Sequence, residues 1–422
     1  MGLSSTLYTG ISGLKANSEA MSVTGNNISN SNTIGFKSSS TLFSDVLSAR
    51  VSSAGGSSQV GRGVQISKVA NLFSQGSFSS TASNTDLAID GDGFFMVRSP
   101  DSVETYYTRN GAFDFSSDGY LINAEGYRVQ GKSYVDGVLS GGDPTDIKVD
   151  FNSQIAAHKT TQLTLTTNLD SGADIIPAFD ITDPEGTSSY STQTKLYDSL
   201  GDSHPVTTYF TKTADNTWEW HMVVDSTELD PSVAATTDLT EIGSGTLTFD
   251  STGNLLSGGT GTTTAGAIAW TNGASSGQQV EMTFATTQRN NSSRIISQSQ
   301  DGYAPGEVVE VSINDEGTVI ASYSNGEKIN IAQLTLATFN NPSGLEKKGG
   351  SLYGQTASSG DPSVGASGAS QGYIYTSSLE LSNVDLAQEF VDLITIQNGY
   401  SASSKVITTT DEMLQELINL KR

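Results

Sequence analysis

The two ends of this 422-residue chain carry the same narrow apolar stripe, and the long body between them follows a different period. In the first segment Leu7, Ile11, Leu14, Met21 and Ile28 follow alternating steps of four and three, with Ser18 and Gly25 at the intervening positions. In the last segment Leu386, Phe390, Leu393, Tyr400, Ile407, Leu414 and Ile418 do the same, with Gln397, Ser404 and Asp411 between them. Both are heptad seams interrupted by small or polar residues. Ser382 or Asn383 is in position to cap the second helix, and Lys421 and Arg422 complement the dipole at its end. Two readings are open: amphipathic helices packed on the core of their own domain, or helices that pair as a stem. A thin stripe stabilises an isolated helix little, because nucleation is costly and few apolar groups are buried. The seams are therefore expected to pair with each other and with neighbouring copies.

The body alternates with period two, the mark of half-buried strands. Trp218, Trp220, Met222 and Val224 point one way and Glu219, His221 and Val223 the other. Val309, Val311 and Ile313 alternate with Glu310 and Ser312, and Asn314–Gly317 turns the chain into Val319, Ala321 and Tyr323. Leu163 and Leu165, then Val280, Met282 and Phe284, repeat the pattern. The expected fold is mostly β and multidomain, with antiparallel barrels or sandwiches, and paired N- and C-terminal α-helices forming a coiled-coil-like stem. Residues 251–277 read as exposed turns and short edge strands, and residues 356–372 as a Gly/Ser-rich connector.

Hydrophobic residues make up 35% and glycine numbers 44, which favours short strands and many turns over one large apolar interior. At this length the chain is expected to divide. The expected parts are a helical stem (1–30 plus 382–422), connecting segments (31–70 plus 356–381), an inner β domain (71–145 plus 285–355) and an outer β domain inserted in it (146–284). With 21 basic against 45 acidic residues the net charge is −24, a surface that repels nucleic acid and anionic lipid. No segment has the apolar length of a membrane helix, so no membrane insertion is expected, and the start lacks the basic, continuous pattern of a Sec signal peptide.

Catalytic chemistry finds little purchase. There is no cysteine and there are three histidines, none with a second histidine at ligand spacing. Two G-x-S-x-G matches, Gly273–Gly277 and Gly368–Gly372, lack the strand-to-helix context of a nucleophile elbow. Asp90–Gly93 reads as a hairpin connection, and Phe94 stands where a calcium loop needs its next ligand. No catalytic, cofactor or metal residue is expected.

Several stretches resemble the flagellar axial family, the rod and hook proteins. They are Asn26–Lys37 (NNISNSNTIGFK), Leu87–Val97 (LAIDGDGFFMV), Tyr107–Lys132 and Ser382–Leu414. Within them Asn26, Asn27, Gly35, Phe36, Gly91, Gly93, Phe94 and Phe95 carry the motif. Lys195–Lys212, Gln300–Glu327 and Leu336–Gly354 are similar to the hook members in particular. One departure is Asn398 and Gly399, where the family continues with a basic and a larger residue; Gly there weakens a helix by about 1 kcal/mol relative to Ala. The resemblance implies a helical homopolymer, a curved flexible tube acting as a universal joint between rod and filament. It implies partners in the chain itself, the distal rod protein, the hook cap and the hook–filament junction proteins. It also implies export by the flagellar type III apparatus to the cell surface. A distal rod or hook-associated protein is the alternative within the structural class, and a secreted hydrolase the alternative outside it.

Overall fold

A computed structural model describes residues 3–47, 49–53, 56–135, 137–368 and 370–420. Lys421 and Arg422 lie outside them. The chain is mostly β, with one long helix near each end: α1, Leu3–Ser29, and α2, Leu386–Leu420. It divides into two compact units. The first comprises Met1–Asp150, Val311–Ala321 and Ile329–Arg422, the second Phe151–Glu310 and Ser322–Lys328.

In the first unit α1 ends in the Asn-rich run, where Asn side chains compete for helix backbone groups. Asn30 Nδ2 donates to the carbonyl of Asn26 at 2.9 Å. The expected caps of α2 are displaced: Asp385 Oδ1 accepts from the amides of Ala387 (2.9 Å) and Gln388 (3.3 Å), so Asp385 is the N-cap. Asn383 is engaged elsewhere, as described below.

The β part of this unit is built around the strand Phe94–Arg98. One edge pairs along its length with Thr105–Thr108, and the other meets Arg128–Val135 and Leu336–Thr338. Phe95 lies in the main core, edge-on to Phe113 at 5.1 Å, among Leu87, Val97, Leu121 and Leu334. Phe94 points to the other face, into a smaller cluster with Tyr353, Phe339 and Phe73. Asp90–Gly93 is not the hairpin connection that its composition suggests. The preceding strand Leu87–Asp90 pairs with Tyr373–Thr376 instead of with Phe94–Arg98. Nor are residues 356–372 a bare connector: Ser363–Gly365 pairs with Leu336–Thr338, and Ser359 is buried.

The second unit is a β-sandwich. One sheet is an antiparallel meander of Tyr190–Tyr197, Ser203–Ala214, Thr217–Asp225, Leu239–Phe249 and Leu255–Ser257. The other is mixed: Gln162–Asp170 runs parallel to Glu281–Phe284 and Thr287–Arg289 and antiparallel to Arg294–Gln300. Between them lie Trp218, Trp220, Met222, Leu163, Leu165, Met282 and Phe284, the alternating positions of the sequence. Val223 is buried as well, and Val309 is exposed despite its alternation. Residues 251–277 are more than exposed turns, because they supply Ile268 and Trp270 to this core. Trp270 stacks on His204 with centroids 3.7 Å apart.

Candidate assembly site

The two helices of the first unit run antiparallel in a constant register, and the residues between them are small. A methyl group added at Gly10 would lie 2.8 Å from Ile407 Cγ1, and one at Gly13 2.6 Å from Ser403 Oγ. One at Gly399 would lie 2.9 Å from Asn17 Oδ1. At the base of the pair Asn27 Nδ2 donates to Glu389 Oε1 at 2.8 Å and to the Ser39 carbonyl at 2.8 Å. Burial pushes the Glu389 carboxyl above its ordinary range, and the Asn27 bond only partly offsets this. The buried stripe of α1 is thus Gly10, Gly13, Ala16, Ala20, Thr24 and Asn27.

Over most of its length that stripe stands one residue before the large apolar one, a rotation of about 100° on a helix. Leu7, Leu14, Met21 and Ile28 on α1, and Leu393, Ile407 and Leu414 on α2, are half-buried. Ile11, Leu386, Phe390, Tyr400 and Ile418 are exposed. None of these twelve is fully buried. Exposed apolar residues beyond them are Tyr8 (71% exposed), Val391, Ile394 (57%), Val406, Met413 (56%) and Leu417 (52%). Close helix approach needs small residues, so the bulky ones are turned to the flanks.

Of the motif residues, Asn26, Asn27, Gly35 and Phe36 lie at or just beyond the end of α1, and Gly91, Gly93, Phe94 and Phe95 belong to the β part. Gly35 has φ +66°, and an added methyl would lie 2.5 Å from the amide nitrogen of Asn110, so only glycine fits. Its amide donates to the Glu380 carbonyl at 2.8 Å. Phe36 lies half-buried under Lys347, whose Nζ stands 4.9 Å from the ring centroid. Asn26 is exposed and Asn27 buried. Gly91 (φ +87°) presents its carbonyl to Arg109 Nη2 at 2.7 Å, and Gly93 (φ +132°) packs against the Gln371 carbonyl. Asn383 accepts from the Ser38 amide at 2.7 Å and donates to the carbonyls of Leu72 and Ser74.

The geometry adds three residues to the motif positions: Lys37 and Arg109, which lie within the resembling stretches, and Glu380, which does not. Lys37, Arg109 and Glu380 form a buried ion triad, with Lys37 Nζ 2.6 Å from Glu380 Oε1 and Arg109 Nη1 3.4 Å from Glu380 Oε2. Glu380 Oε1 also accepts from the Gly76 amide at 2.9 Å, and Lys37 Nζ donates to the Ser74 carbonyl at 2.8 Å. Burial pushes both cations below their ordinary pKa, and the Glu380 charge pulls them back. A lysine and a glutamate 343 positions apart give no local signal; only the tertiary fold pairs them.

In the second unit two of the histidines, His204 and His221, neighbour carboxylates, and His158 neighbours a backbone carbonyl. His204 is buried on a strand, with Nδ1 2.7 Å from Glu228 Oε2 and Nε2 3.2 Å from Asp198 Oδ2. His221 stacks on Phe179 and reaches Glu241 at 2.7 Å, while His158 Nδ1 lies 3.1 Å from the Asp301 carbonyl. Among the described residues no group of three or more His, Asp or Glu is placed to hold a metal, and no helix is long and apolar enough to cross a membrane.

Four family descriptions match the chain in order. They are "Flagella basal body rod protein" over residues 7–37 and "Flagellar hook protein FlgE/F/G D1 domain" over 88–168. "Flagellar basal body protein FlaE D2 domain" follows over 168–303, and "Flagellar basal body rod FlgEFG protein C-terminal" over 375–420. The flagellar hook protein FlgE of Salmonella typhimurium is 34% identical, with 97% of this chain and 98% of that one covered. That of Treponema pallidum is 32% identical, with 99% of each covered. The crystal structure of Helicobacter pylori flagellar hook protein FlgE2 aligns with a TM-score of 0.47 at 16% identity, covering 67% of this chain and 95% of that one.

Proposed function

This chain belongs to the flagellar hook protein family, and from that premise we propose that its paired helices are the element through which copies stack into a tube. The chain is a structural subunit of the flagellar hook. The observation that carries the stacking is the inversion at the helix pair. Gly10, Gly13, Gly399 and Ser403 lie inside the crossing, while Tyr8, Ile11, Phe390, Ile394, Met413 and Leu417 face outward. Fully burying a Leu, Ile, Phe or Met side chain contributes about 1.5–3 kcal/mol, so a few such contacts per subunit outweigh the cost of ordering it in a polymer. The contact is head-to-tail, which generates an open helix and not a closed ring. Polar, turn-rich β surfaces meet through wet contacts with several near-equal arrangements, and this lets the tube bend without rupture.

The division into stem, connecting segments, inner domain and inserted outer domain belongs to the same reading, with the seam residues as the stem's contact surface. The distal rod protein, the hook cap and the junction proteins are its end partners. Export is by the flagellar type III route to the cell surface.

Charge placed on the outward face tests the stacking. Ile394→Asp and Leu417→Asp are expected to abolish sedimentable tubes, as seen by electron microscopy. The tryptophan emission of the second unit should keep its native unfolding midpoint. Tubes of native stability from both variants would overturn the assignment.

A further inference from the structure

The Lys37–Arg109–Glu380 triad has a property that the stacking of copies does not require. Its two cations come from the first 109 residues, and its single anion from the last strand before α2, Ser378–Glu380. All three side chains are buried, and the surrounding partners are backbone groups of Ser74, Gly76, Ile89 and Gly91 with the Phe94 ring. Without Glu380 the site would hold two desolvated positive charges, with carbonyls in contact and only the exposed Asp92 carboxylate acting on Arg109 from outside. Like charges in a dry site repel, and an uncompensated buried charge is strongly destabilising. The carbonyls of Ser74, Ile89 and Gly91 satisfy donors but do not cancel a net charge.

We propose that the triad is a return latch. The segment Gly35–Lys37, which leads out of α1, seats on the β core only when the C-terminal segment arrives with Glu380. Three ties close together at that moment: the Glu380 carboxylate on Lys37 and Arg109, its carbonyl on the Gly35 amide at 2.8 Å, and its Oε1 on the Gly76 amide. The latch makes the placement of α1 conditional on that of α2. An N-terminal half docked alone, with α1 lacking its partner, is excluded by charge and not by shape.

The test uses the full-length chain and amide hydrogen exchange at Gly35, Phe36, Lys37 and Gly76, read in both the soluble and the sedimented state. Glu380→Gln, which keeps the shape and removes the charge, is expected to speed exchange at these amides at least tenfold. The second unit's tryptophan unfolding should stay unchanged, as the control for folding. Lys37→Met alone leaves Glu380 with Arg109 and is expected to have the smaller effect. The double variant Lys37→Met/Glu380→Gln is expected to recover protection relative to Glu380→Gln, because one orphan cation is gone. Lost hydrogen bonds alone would instead make the two substitutions additive. A double variant worse than Glu380→Gln, native exchange in Glu380→Gln, or unprotected native amides in both states would each overturn the latch. Because the readout is local exchange, failure of the unsubstituted chain to form tubes while these amides stay protected would count against the stacking reading only.

Discussion

At the scale of single residues, the glycines and small polar side chains of the helices carry more of the structure than the large apolar ones. Gly10 and Gly13 lie against Ile407 and Ser403, and the register continues through Asn17 and Gly399 to Asn27 and Glu389. Gly10→Leu is expected to force the helices apart at a cost of about 1–3 kcal/mol, the usual range for overpacking. The critical concentration for tube formation, measured by sedimentation, should rise roughly tenfold or more. Gly399 reads in the sequence as a weak point of α2, whereas in the structure it faces Asn17 of α1, and an added methyl would lie 2.9 Å from Asn17 Oδ1. The signal lies in the small residues at positions 10, 13, 20 and 24, and the heavier apolar stripe one residue later is the stronger periodic pattern. A second prediction at this scale concerns acid. Burial pushes Asp198 and Asp301 up, yet hydrogen bonds from Asn272 and His204 to the first, and from the Thr161 hydroxyl and the amides of Thr161 and Gln162 to the second, outweigh it. Both carboxyls therefore sit below the ordinary 3.8. A depressed carboxyl contributes stability that is present above its unfolded pKa and lost as pH falls through its folded one. The tryptophan-detected unfolding midpoint of the second unit should drop as pH is lowered below about 3.8, and Asp301→Asn should flatten that dependence while lowering the midpoint at neutral pH.

At the scale of elements, periodicity was a good guide to what forms and a poorer one to where it faces. Both helices, the Trp218–Val224 alternation and the Asn314–Gly317 turn were legible because each is set by neighbours within a few residues. α2 starts two or three residues later than its cap candidates Ser382 and Asn383 imply. Asn383, a good cap by type, instead ties Ser38, Leu72 and Ser74, and Asp385 takes its role. Asp385→Ala should cost about 1 kcal/mol of α2 stability. Amide exchange of Ala387 and Gln388 would show it, and an unchanged rate would mean that other contacts hold that turn. Residues 251–277 read as exposed turns and short edge strands, and residues 356–372 as a connector, because Gly, Ser and Thr dominate them. Single residues such as Trp270 and Val364 decide their structure, through partners far along the chain.

At the scale of the whole molecule, each unit has its own core: one built on Leu87, Phe95, Phe113 and Leu334, the other on Trp218, Trp220, Met282 and Phe284. All three tryptophans, Trp218, Trp220 and Trp270, belong to the second. Trp220→Ala is expected to destabilise that unit by about 3–5 kcal/mol, followed through the remaining tryptophans. The exchange of the Phe95 and Val97 amides should stay native, and a matching loss there would mean that the cores unfold as one. The sequence by itself determined the helix near each end, the strand-rich body between them and the membership suggested by the motifs. All of these are written in residue types and short spacings. The tertiary structure alone decided which face of each helix is covered, that Asp385 caps α2 while Asn383 clamps, and that Lys37, Arg109 and Glu380 share one dry site. Those depend on close approach and desolvation between residues that are hundreds of positions apart, and no local pattern encodes such distances.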